Sequence, residues 1–84
     1  MRMKLFCQII NLPSVKVLRG EPATLELNWE DFTDVQHIMA DAGYTMCIMS
    51  ANSPEEQFVV EFRHMNADSN DMLDALRVRV LADE

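Results

Sequence analysis

Over residues 3–12 the chain sets Met3, Leu5, Cys7 and Ile9 against Lys4 and Gln8, a spacing of two that predicts a β-strand. Phe6 and Ile10 break the polar side, so this strand is expected to be covered on both faces. Pro13 ends it. Val15 and Val17 then alternate with Ser14 and Lys16, and residues 24–28 alternate again. With Arg19-Gly20-Glu21-Pro22 as the turn, 14–18 and 23–28 make a hairpin. The period then changes. Phe32, Val35, Ile38, Met39 and Ala42 share one arc of about 120°, which predicts a helix over 29–42. Asn28 caps its start and Gly43 stops it. On the far side Glu30, Asp34, His37 and Asp41 share an arc of about 60°.

Residues 44–51 and 57–65 are rich in aromatic and β-branched side chains and read as two strands joined by a hairpin loop at 52–56. Phe58, Val60 and Phe62 face one way; Gln57, Glu61 and Arg63 face the other. A loop at 66–70 offers Asp68 or Ser69 as cap for a second helix, with Met72, Leu73, Leu76 and Val80 on its buried side. The stretch 76–80 also alternates like a strand; the 3.6 spacing and the Asp-rich start favour the helix. The expected order is β(β)βαββα. It gives one α+β domain over 1–84, an antiparallel sheet with two helices packed on one face.

Composition adds limits. At 84 residues, 49% of them apolar, the chain has a core for one domain and room for about one standard contact of ~800 Å². A net charge of −7 argues against direct contact with nucleic acid or anionic membranes. The charge is unevenly placed. Residues 1–19 carry four bases and no acid; 20–62 carry nine acids and no Lys or Arg; 63–84 carry three Arg against five acids. Either the acidic middle serves solubility and pairs with the basic N-terminal strand, or it offers a negative face to a basic partner.

Cys7 and Cys47 sit among apolar neighbours without a C-x-x-C spacing, which predicts buried thiols in a reducing cytosol. The apolar run at the start is broken by Gln8 and meets Pro13 without a small-residue cleavage site, so it is expected to belong to the fold rather than to a leader. No run of 18 apolar residues is present. A bacterial cytoplasm is the expected location.

Catalytic chemistry finds little support. Ser50, Ser53 and Ser69 lack a G-x-S-x-G elbow, and Cys47 lies in Met46-Cys47-Ile48-Met49, a setting that disfavours thiolate. With two glycines, neither G-x-G-x-x-G nor a P-loop can be written. Cys7, Cys47, His37 and His64 have no short ligand spacing, and Glu30, Asp34 and His37 read as a solvated face. No enzyme, metal or cofactor is expected. Met39, Met46, Met49, Met65 and Met72 either make an adaptable binding surface or fill the core, and core filling is the expectation.

The acidic helical stripe remains. Asp41 lies in the last turn, where the helix dipole disfavours an anion by roughly 0.3–1 kcal/mol. Glu30, Asp34 and Asp41 also repel one another with no Lys or Arg anywhere in 20–62 to relieve it. An interaction surface explains what solubility alone does not require. Its expected residues are Glu30, Asp34, His37 and Asp41, with Trp29 and Tyr44 at the helix ends as aromatic anchors.

In size, charge and element order, the chain resembles anti-CRISPR proteins, the inhibitors with which phages and other mobile elements evade antiviral defence, and among them those directed at type I systems. No shared motif underlies the likeness. It implies stoichiometric binding to a basic surface of the Cascade complex or its Cas3 nuclease, blocking DNA binding or nuclease recruitment. A monomer is expected on that view. The alternatives are a cytosolic adaptor or antitoxin-like module, and a small-ligand or dimerising α+β domain that uses its sheet face or an edge strand.

Overall fold

Leu25, Leu27, Val60, Phe62, Leu76, Val78 and Val80 line one face of a five-stranded sheet and are all buried. The computed structural model describes residues 3–18, 24–52, 57–66 and 75–81. Its elements are α1 (Met3–Ile10), β1 (Lys16–Leu18), β2 (Thr24–Asn28), α2 (Trp29–Asp41), β3 (Tyr44–Asn52), β4 (Gln57–His64) and β5 (Ala75–Leu81). The fold is α+β, with strand order β1-β2-β5-β4-β3. Pairing is antiparallel except between β2 and β5, which run parallel, so the sheet is mixed where an antiparallel one was expected. Ile9 of α1 joins Phe32, Val35 and Met39 of α2 in the same apolar cluster as the buried strand residues. Both helices therefore cover one face. None is long and apolar enough to cross a membrane among the described residues.

Two expected elements are of the other type. The first strand is helix α1. Leu5, Phe6, Ile9 and Ile10 are the side chains that pack, while Lys4, Cys7 and Gln8 are exposed. Packing at i, i+1, i+4 and i+5 is a helical stripe of about 140°, and Phe6 and Ile10 belong to it. The expected second helix is β5 where it is described. Its burial alternates strictly from Leu76 to Leu81, with Arg77 and Arg79 on the opposite face. The proposed cap at Asp68 or Ser69 and the buried positions Met72 and Leu73 lie outside the described residues, as do the turn at 19–22 and most of the loop at 52–56.

The central helix follows the sequence closely. Asn28 is extended and its side chain accepts from the Asp31 N–H at 2.9 Å, which satisfies one of the free donors of the first turn. Asp31, only one of two acids in that turn as read from sequence, is buried and accepts from the Ser14 N–H at 2.7 Å and from the Ser14 hydroxyl. Ser14 Oγ in turn accepts from the Asn28 N–H at 3.0 Å. This network ties the segment before β1 to the start of α2. At the other end Gly43 has φ +89°, the left-handed conformation that lets the chain turn into β3. A Cβ there would meet only His64 Nε2, at an ordinary 3.8 Å. Gly43→Ala is therefore expected to cost about 1–2 kcal/mol through backbone strain alone. Urea unfolding with an unchanged slope would check it; a neutral result would contradict the strain.

Candidate interaction face on the second helix

Phe32, Val35 and Met39 turn α2 toward the sheet and are buried, with Ile38 half-buried beside them; Ala42, expected on this arc, is exposed. The rotation this fixes places Glu30, Asp34, His37 and Asp41 on the outer side, and all four are exposed. No ion pair reaches any of them among the described residues, although the described acids of the sheet are paired. Glu26 lies 3.6 Å from Arg79 and Glu61 lies 3.2 Å from Arg63. The stripe is a set of negative charges that make no ion pair among the described residues, spread over three turns of helix with no base in the last turn to meet the dipole.

The two aromatic candidates part company. Trp29 keeps 38% of its surface exposed while its ring meets Phe32 and Phe58 edge-on, with centroids 5.6 and 5.3 Å away. It is an apolar surface held rigidly beside Glu30. Tyr44 is buried, with its ring perpendicular to that of His64 at 5.2 Å. It does not join the exposed stripe. Tyr44 instead lines a cleft of about 380 Å³ with Lys4, Gln8, Asp41 and His64. His64 Nδ1 accepts from the Asn66 N–H at 3.2 Å, which leaves the proton of a neutral ring on Nε2.

The cysteines and most methionines differ from expectation. Cys7 and Cys47 are both free and exposed. Cys7 lies on the solvent side of α1, and Cys47 projects from the sheet face away from the helices, beside Glu61 in the pairing register. His64 shares the helix-covered face with Phe62, so Cys47 and His64 do not converge. No group of three metal-binding side chains occurs among the described residues. Met39 is buried, but Met46, Met49 and Met65 are exposed, and Met72 lies outside the described residues.

Two features escaped the sequence reading. The second sheet face carries a ladder of charges in which Lys16, Glu26 and Arg79 are successive cross-strand neighbours, as are Arg77 and Glu61. The alternation of Arg77 and Arg79 with Val78 and Val80 was its signal. The other is an apolar edge on β3, announced only by the lack of any charge over 44–52.

No known family model, curated protein or solved structure matches this chain. The surface itself carries the functional argument.

Proposed function

We propose that this protein is a non-catalytic binding module that presents the outer face of α2 to a basic protein surface, as a stoichiometric inhibitor of the anti-CRISPR kind would. The observation that carries this is the unpaired exposure of Glu30, Asp34 and Asp41, beside sheet acids that all have partners. Charges so placed raise association rate and specificity by steering a basic partner before contact. Trp29, half-exposed next to Glu30, supplies the apolar anchor that such a rim surrounds. On this reading the partner is a nucleic-acid-handling surface of a type I Cascade complex or Cas3, in the cytoplasm of a bacterial host, and binding there competes with DNA.

The test reverses Glu30, Asp34 and Asp41 to Lys together. All three side chains are exposed, and Lys at position 41 suits the helix end, so the fold is expected to be kept. Association with purified Cascade or Cas3 is expected to slow at least tenfold at low salt, with much of the difference lost as salt screens it. Pull-down from host lysate at low and high salt identifies other basic partners. If capture survives the triple change at about 0.15 M salt, the acidic face is not the binding surface.

A further inference from the structure

We infer that the chain forms a two-fold dimer through β3, pairing antiparallel with β3 of a second copy about Cys47. The strand order leaves β1 and β3 as the two sheet edges. They are unlike. β1 has three residues, and Lys16 sits on it, a short and charged edge of the kind that blocks pairing. β3 has nine residues and, from Tyr44 to Asn52, no charge, proline or glycine. Among the described residues, the protection this edge carries is the bulge at Met49, where the register with β4 shifts between Ile48 and Ser50.

The side chains say what covers it. Met46 and Ile48 pair with Phe62 and Val60, so they stand on the helix-covered face of the sheet, yet they are 41% and 62% exposed. Met49 is 49% exposed beside them. The rings of α2 reach β4, Phe32 against Phe62 and Trp29 against Phe58, while Met46 and Ile48 stay exposed beyond them. A two-fold at Cys47 sets Met46 of each copy against Ile48 of the other. The apolar layer under α2 then continues from one copy into the next.

A second copy fits better than an unrelated strand for two reasons. The contact strip is neutral, so two chains of net charge −7 meet where neither carries charge. The geometry is also isologous, which closes the assembly at two. With the two-fold at Cys47, residues 44–50 of each copy lie opposite one another, a paired run of about 23 Å within β3. The dimer uses β3 and the inhibitor reading uses the exposed acids of α2, so different variants test them, and the dimer replaces the monomer expected from sequence.

Sedimentation equilibrium of the purified chain at tens of micromolar is expected to give twice the 9.7 kDa mass; a monomer would overturn the inference. Ile48→Lys and Met46→Lys place charge at exposed positions, so circular dichroism should show an unchanged fold while the dimer weakens at least tenfold. An undiminished dimer in both, with the fold intact, overturns it. Cys47 supplies the register. Mild oxidation with diamide is expected to give a covalent dimer that persists in Cys7→Ser and is lost in Cys47→Ser; linkage through Cys7 instead would overturn it.

Discussion

Phe62→Ala is expected to destabilise the protein by about 3–5 kcal/mol. Phe62 is 1% exposed in the middle of β4, pairs with Leu76 on one side and Met46 on the other, and meets the Phe32 ring with centroids 6.4 Å apart. It is the largest side chain buried to this degree. Helix and sheet both lean on it, so truncation leaves a cavity that neither layer can close alone. A domain of this size has on the order of 4–13 kcal/mol in all, so the loss is a large share and the midpoint of thermal unfolding should fall by at least about 12 °C. Met65→Ala, at a residue 70% exposed, should stay within about 0.5 kcal/mol. A drop under 1 kcal/mol for Phe62→Ala would place the core elsewhere.

The same core explains which elements were legible in the sequence. α2 was readable because period, caps and stop agree: Asn28, the apolar arc and Gly43 all mark one helix, and local and tertiary preferences coincide. β3 and β4 were readable from their β-branched and aromatic residues. The chain ends were not, and in both cases a short apolar run fits two periods. In α1, Leu5 and Ile9 satisfy spacings of both two and four; Phe6 and Ile10, seen from sequence as an interruption, decide for the helix because they pack with them. In β5, Leu76 and Val80 also satisfy both periods. Val78 decides, since a helix would turn it about 160° from each of them while the strand buries it between Leu25 and Val60.

Site residues divide along the same line. Exposure of Glu30, Asp34, His37 and Asp41 follows from the period of α2 alone, so sequence placed them on one face. The fate of Tyr44, Cys47 and the methionines depends on strand order, which local pattern does not encode. Met46 and Ile48 look like core residues and point to the core side of the sheet. They are exposed because β3 is the last strand, with a neighbour on one side only. Cys47 is exposed for the same reason, on the other face.

Strand order also creates the second large effect. Glu61 is 3% exposed, at the centre of the sheet face away from the helices. Its carboxylate accepts from Arg63, with Nε 3.2 Å from Oε1 and Nη2 3.4 Å from Oε2, and Arg77 stands directly opposite on β5. Arg77 Nε is itself buried without a hydrogen-bond partner. Arg63→Met leaves Arg77 free to turn toward the carboxylate, and a cost of about 1–2 kcal/mol is expected. Adding Arg77→Met removes the last nearby cation from a buried charge, and the double variant is expected to lose about 3–5 kcal/mol, more than the sum of the singles. Glu61→Leu in that background takes away the uncompensated charge and should recover most of the loss. Urea unfolding of the wild type, the two singles, the double and the triple variant checks both. Additive singles with no recovery would mean that Glu61 is held by its backbone neighbours rather than by the two arginines.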